Sequence, residues 1–234
     1  MEIPQTVRDA LADVPTDGAT ALEAGAGVGN GTAGLVEAGA ETVYAVTDHP
    51  DHAAQVRERV PEAEVLESDL QSIPLDDDSV DVILAHGLFN VLTNEEAAAI
   101  AAEFTRVAAP GAWLLVDDYD PMPEHAPIRR LFGVENVIAE LVDGRPAYVF
   151  HPEAGLRQLF AGHGWTHERT KSLLEPVPWP EELFEAHLDA ARRSAEPLDD
   201  ALAEPLLAEA ESLTEQAPSP TSRMYSLGLR YSTQ

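Results

Sequence analysis

The stretch Thr20-Ala-Leu-Glu-Ala-Gly-Ala-Gly-Val-Gly-Asn-Gly31 decides the fold. A short apolar run ends near a carboxylate, Glu23, glycines at 25, 27 and 29 then alternate with small residues, and a helix-compatible sequence follows. Such glycines let the backbone turn sharply and leave no side chain between it and a ligand. The helix start that follows offers free N–H groups. The segment reads as a loop against which a ligand lies on main chain.

Short apolar runs and helical segments alternate on both sides of this loop. Residues 4–14 suit a leading helix, within an N-terminal stretch of 1–18, and Thr16-Asp-Gly18 suits a turn. Strands are expected at 19–24, 41–47, 63–67, 79–85 and 112–116, the last after a Pro110-Gly111 turn. Helices are expected at about 32–38, at 51–59 and at 94–108. This alternation is the mark of βαβ units around a buried parallel sheet. The second half is less regular: helices at 127–142 and 152–161, a strand at 165–174, helices at 181–194 and 199–216, a Pro218-Ser-Pro220 break, and a strand at 223–231. No linker divides the chain, so 1–234 is expected to be one domain, with 120–150 and 176–220 as helical elaborations.

Composition narrows the setting. No apolar run approaches the ~18 residues that span a bilayer, and the N-terminus lacks the basic-then-apolar pattern of a signal peptide. A soluble cytoplasmic protein is the expectation. With no cysteine there are no disulfides, thiolate metal sites or cysteine nucleophile. Acids outnumber bases 42 to 14, and Lys171 is the only lysine. A net charge of −28, dispersed along the chain, is self-repelling in dilute buffer. At about 1 M salt the Debye length falls to roughly 3 Å and most of that repulsion is screened. The reading is adaptation to a salt-filled cytoplasm of the halophilic-archaeal type. So acidic a surface repels phosphate backbones, which disfavours a nucleic-acid substrate.

Two ligands use a strand, a glycine loop and a helix in this way. A dinucleotide wants G-x-G-x-x-G straight after the strand. Gly29-Asn-Gly-Thr-Ala-Gly34 fits that spacing, but it begins beyond the strand end and inside the expected helix. S-adenosylmethionine wants a tighter glycine turn and has no pyrophosphate to seat. Glu23-Ala-Gly-Ala-Gly-Val-Gly29 resembles the E/D-x-G-x-G-x-G motif of class I S-adenosylmethionine-dependent methyltransferases. Four further segments resemble that family in order: Tyr44–Asp48, Glu67–Leu75, Asp78–Ala85 and Arg106–Val116. The resemblance covers about residues 19–118, with a looser echo at 152–175.

The resemblance implies an α/β, Rossmann-like, doubly wound sheet of seven strands in the order 3-2-1-4-5-7-6, the last antiparallel, with a helical insertion before that last strand. It also implies S-adenosylmethionine as cofactor, bound by Glu23, Gly25, Ala26, Gly27, Gly29, Asp48, His49, Asp69, Leu70, Ala85 and His86. Chemistry supports the acidic members independently. A carboxylate at a strand end can accept both ribose hydroxyls, and Asp48 lies 19 residues past Gly29. Asp69 can accept from the adenine amine, or cap the turn near Gln71. Glu23 can meet the methionyl amine.

The expected reaction is methyl transfer to a small-molecule acceptor, with the helical elaborations 120–150 and 176–220 expected to cover its site. Sulfonium is an excellent leaving group, so proximity and alignment do most of the work, and a base is needed only if the nucleophile must lose a proton. His86, Asp118 and Tyr119 are the candidate catalytic residues beyond strands four and five. Asp117 and Asp118 could instead cap a strand end. The scattered histidines form no metal motif, so no metal is expected. The protein is expected to work as a monomer or homodimer. Two other functions fit parts of the sequence: a nicotinamide-dependent oxidoreductase using Gly29–Gly34, and a non-catalytic methyltransferase fold kept as a binding subunit.

Overall fold

A computed structural model describes residues 2–216 and 219–232. Pro218 of the expected proline break lies outside the described residues. Seven strands form one sheet: β1 (Thr20–Ala24), β2 (Thr42–Thr47), β3 (Glu64–Glu67), β4 (Val80–His86), β5 (Ala108–Tyr119), β6 (Trp165–Leu174) and β7 (Met224–Tyr231). Their order is β3-β2-β1-β4-β5-β7-β6. The first five strands are parallel, and β7 runs antiparallel between β5 and β6. This is the sheet that the family resemblance implied.

Helices α1 (Gln5–Leu11), α2 (Asn30–Glu37), α3 (Pro50–Arg59), α4 (Asn94–Val107), α5 (Pro127–Asp143), α6 (Glu153–Ala161), α7 (Glu181–Ala195) and α8 (Asp200–Thr214) complete the chain. Alternation along the strands splits the core. Ala21, Val82, Leu84 and Leu115 pack on one face with Val7 and Leu11 of α1 and Leu35 of α2. Leu22, Ile83, Leu114 and Val116 pack on the other with Phe104 of α4 and Phe160 of α6. A third cluster joins α5, α7 and α8 through Leu131, Phe132, Phe184, Leu188 and Leu213. It meets the sheet through Tyr119 and Met224, at the carboxyl end of β5.

Two expectations are corrected. The leading helix is shorter than 4–14, ending at Leu11. Strand β5 is longer than 112–116 at both ends. Pro110-Gly111 is not a turn between elements; it lies within β5, where Val80 and Val82 of β4 pair with Ala108 and Trp113. The extra residues bulge there, with Gly111 at φ +85°. At the other end Asp117 and Asp118 continue the ladder to Ser226 and Tyr225 of β7.

Gly34 shows how tightly α1 sits. A Cβ at that position would collide with the Val7 side chain and press on Leu11 of α1. Gly34→Val is therefore expected to lower the unfolding free energy by about 1–3 kcal/mol through overpacking. Equilibrium denaturation checks this, and unchanged stability would show that α1 yields freely.

Candidate cofactor and acceptor site

The site is built at the carboxyl ends of β1, β2, β3 and β4, where an open doubly wound sheet leaves a crevice. The glycine loop is held from several sides. Gly25 N–H and Ala26 N–H donate to Val46 O at 3.0 and 2.9 Å. Arg59 Nη1 of α3 donates to Val28 O at 2.6 Å. Gly25 adopts φ +72°, and a Cβ there would lie 2.7 Å from Leu88 Cδ1, so both backbone and space demand glycine. At Gly27 a Cβ would meet nothing within 4 Å. That residue lines a cavity of about 410 Å³, so the missing side chain leaves room for a ligand.

Glu23 is not a solvated strand end. It is buried, and its carboxylate accepts from Gly31 N–H at 3.0 Å, Thr32 N–H at 2.8 Å and the Thr32 hydroxyl. It thus holds the first turn of α2. Burial pushes its carboxyl above the usual range, against the pull of these bonds. The same geometry weighs against a dinucleotide. The N–H groups that would seat a pyrophosphate already hold an internal carboxylate, and Gly31 and Gly34 make room for Glu23 and Val7.

Asp48 and Asp69 stand exposed at the ends of β2 and β3, and both line a cavity of about 710 Å³ with Gly25 and Leu70. The carboxylate of Asp48 makes no hydrogen bond among the described residues, and α3 is entered through His49 with no side-chain cap. Asp69 Oδ1 accepts from Gln71 N–H at 2.8 Å, which holds the turn and leaves Oδ2 open.

Four other expected contact residues lie outside both cavities. Ala26 and Ala85 are fully buried in apolar clusters, and neither lines the crevice. Gly29 is the left-handed N-cap of α2, φ +76°, outside both cavities. His49 is exposed and lines neither cavity. His52, one turn along α3 and 4.5 Å from His49 between ring centroids, lines the smaller one beside Asp48. His86 lines that cavity with Glu23, Gly25, Gly27 and Asp48.

A second wall of the larger cavity is formed by residues that sequence reading did not single out. Leu88, Leu92 and Ile100 supply apolar surface, and Ala139, Asp143, Arg145 and Ser194 bring α5, its following loop and α7 to the mouth. Arg145 is pinned there by Glu96 at 2.7 Å and by Val91 O at 3.2 Å. Nothing in the local pattern of residues 139–147 announces that position.

The three candidate catalytic residues differ. Asp118 is buried and accepts from Asn90 N–H at 2.9 Å, Asn90 Nδ2 at 3.0 Å and Tyr119 N–H at 2.8 Å. It holds the turn Phe89–Val91 and lines neither cavity. Burial pushes its carboxyl up to about 6, against those three bonds. Tyr119 packs tilted against Trp179 of the helical lobe, 5.5 Å between ring centroids, and burial raises its phenol. Only His86 opens on the crevice. Its Nδ1 donates to Asp117 Oδ2 at 2.9 Å. Burial pulls its imidazole down, but Asp117, Glu23 and Asp118 outweigh this and hold it above the ordinary value. No metal-binding group of three or more histidines or acids occurs among the described residues.

The sheet order is that of the Rossmann-like methyltransferase fold. A family model described as "Methyltransferase domain" matches residues 22–116. The chain is 29% identical over 149 residues to a methyltransferase-like protein of Schizosaccharomyces pombe, covering 62% of this chain and 53% of that protein. It is 29% identical over 181 residues to a "probable S-adenosylmethionine-dependent methyltransferase" of Mycolicibacterium smegmatis, 71% of this chain and 69% of that one. A mycolic acid cyclopropane synthase solved with SAH superposes with a TM-score of 0.67 at 17% identity, over 97% of this chain and 83% of that chain. Residues 22–116 thus resemble a methyltransferase domain, within a chain that carries a seven-stranded sheet of the methyltransferase order. The chain spans about half the length of the yeast relative.

Asp118 has a pH signature. Its folded carboxyl, at about 6, lies above an unfolded value near 3.8, so the native state holds the proton more tightly. Its contribution is intact below about pH 4 and is lost as pH rises to 6, a change of about 3 kcal/mol. The stability of the wild type relative to Asp118→Asn is therefore expected to fall over that window. Parallel denaturation of both proteins from pH 4 to 7 checks it, and a constant difference would refute it.

Proposed function

We propose that the chain transfers a methyl group from S-adenosylmethionine to a small-molecule acceptor. The observation that carries this is the pair of strand-end carboxylates, Asp48 and Asp69, set beside a glycine turn whose helix start is already occupied by Glu23. Asp48 would accept the ribose hydroxyls and Asp69 the adenine amine, with Leu70 against the ring. Gly25 and Gly27 would give the methionyl arm access to main chain. Glu23 would act on that arm through the loop it braces. The cofactor supplies an activated methyl on a sulfonium whose loss leaves a neutral thioether. An acidic crevice suits that cation.

The larger cavity continues from the cofactor residues to α5 and α7. This supports an acceptor of metabolite size, with 120–150 and 176–220 as its cover within a single domain. A net charge of −28 disfavours a nucleic-acid acceptor, and no described helix is long and apolar enough to cross a membrane. A salt-adapted cytoplasmic enzyme, monomeric or dimeric, remains our reading of the composition.

Titration calorimetry in about 2 M KCl is expected to show binding of S-adenosylmethionine and of its demethylated product. Asp48→Ala should weaken both at least about tenfold, the equivalent of losing hydrogen bonds to a charged group. Binding of NADH instead, or undiminished binding by the variant, would overturn the assignment. The salt reading is separable. The melting midpoint should rise steadily from 0.1 to 2 M KCl, and a flat or falling midpoint would refute it.

A further inference from the structure

Glu23, His86 and Asp117 form a row across one face of the sheet. They sit on β1, β4 and β5, and all three side chains project toward the α1–α2 face, as Ala21, Leu84 and Leu115 two residues before each do. His86 and Asp117 are register partners. The Asp117 side chain is fully enclosed, and that of His86 is 18% exposed. A carboxylate only accepts, so Nδ1 of His86 carries a proton in either charge state. The neutral ring then presents the lone pair of Nε2. Nε2 has no partner among the described residues, and His86 lines the cavity that Asp48, Gly25 and Gly27 also line. The other Asp117 oxygen, Oδ1, is buried without a partner, so this acid is committed to nothing but the imidazole.

We propose that Nε2 of His86 is the base that takes a proton from the methyl acceptor, that Asp117 positions it, and that the charge of the methyl donor sets when it can act. The proposal rests on the cofactor reading above. It implies an acceptor whose attacking atom carries a proton, such as a hydroxyl or an N–H. A lone pair on that atom forms the new bond to the methyl carbon. The carbon–sulfur pair stays on sulfur, and the acceptor's proton passes to Nε2.

The timing follows from charge. The charged groups around His86 are Asp117 from β5 and Glu23 from β1 on its own face and Asp118 of β5 on the opposite face, with Asp48 from the end of β2 and His52 from α3 around the shared cavity. In the free protein this acidic surround favours a protonated imidazole. A bound sulfonium supplies a positive charge in the same cavity and disfavours a second one on the ring. His86 is thereby neutral, and basic, when the donor is present. Methyl transfer discharges the sulfonium, and the ring can then hold the acceptor's proton.

The test compares the methyl donor with its neutral thioether product by two readouts that need no acceptor. Histidine NMR titrations, with the His86 resonance identified by its loss in His86→Gln, should give a His86 pKa at least about one pH unit lower with S-adenosylmethionine than with the product. Calorimetry should show affinity for S-adenosylmethionine falling by up to tenfold per pH unit below the free His86 pKa. Affinity for the product should be nearly constant, and in His86→Gln the contrast should vanish. In Asp117→Asn, His86 should titrate below its wild-type pKa. If both ligands bind and His86 titrates alike with each, the proposal is overturned and the cofactor reading stands. If neither ligand binds, both fail together.

Discussion

The arrangement of the site depends on the Glu23 carboxylate at the first turn of α2. A buried carboxylate is tolerated only where its lone pairs are filled, and here they take two backbone N–H groups and a hydroxyl. The helix dipole adds to the attraction. Because both partners are rigid, β1 and α2 are locked at a fixed angle and the glycines between them have one path. This bond also decides what the loop can bind. A dinucleotide fold leaves the helix start empty for phosphate, whereas this chain fills it from within. What stays open to the cavities is the Gly25–Gly27 side of the loop and the acids at the next two strand ends.

The strand-end chemistry divides by face. Toward α1 and α2 the row Glu23, His86, Asp117 and Ser226 is polar, and Arg169 of β6 extends it by bonding Ser226 Oγ at 3.1 Å and Ala10 O at 2.7 Å. Gly228 makes room for the Arg169 stem, which a Cβ there would strike at 2.9 Å. Toward α4 the corresponding positions are Ala24, Ala85 and Asp118, and the one acid is consumed by Asn90 and the turn it holds. Of the ionisable groups in these two rows, His86 on the first face is the one that keeps an open atom toward the smaller cavity.

Much of the sheet was legible because a parallel sheet buries its strands on both faces. Each strand then reads as an apolar run that local sequence reports faithfully. The glycine turn, Asp48 and Asp69 were legible for a similar reason, since each lies within a few residues of a strand end. What escaped depends on partners distant in sequence. Asp117 and Asp118 look like the polar end of a strand, yet they belong inside it, satisfied by His86 and Asn90, 31 and 28 residues away. The second wall at Ala139, Asp143 and Arg145 comes from helices whose apolar stripes predict burial but not against what. His49 and His52 could not be ranked until α3 fixed which of them faces the crevice.

The helical lobe joins the sheet where β5 runs past its expected end. Residues Asp117, Asp118 and Tyr119 are successive, and each has a different duty: Asp117 holds His86, Asp118 holds the Phe89–Val91 turn, and Tyr119 packs against Trp179 of the lobe. The turn in turn carries Leu88 against Gly25, and Val91 O against Arg145. A displacement of the lobe at Trp179 therefore bears on the same short strand segment that orients the imidazole and shapes the glycine loop. Through that segment, packing in the irregular second half of the chain is mechanically joined to the glycine-loop side of the crevice. Such coupling needs no moving part, because close-packed neighbours transmit small shifts directly.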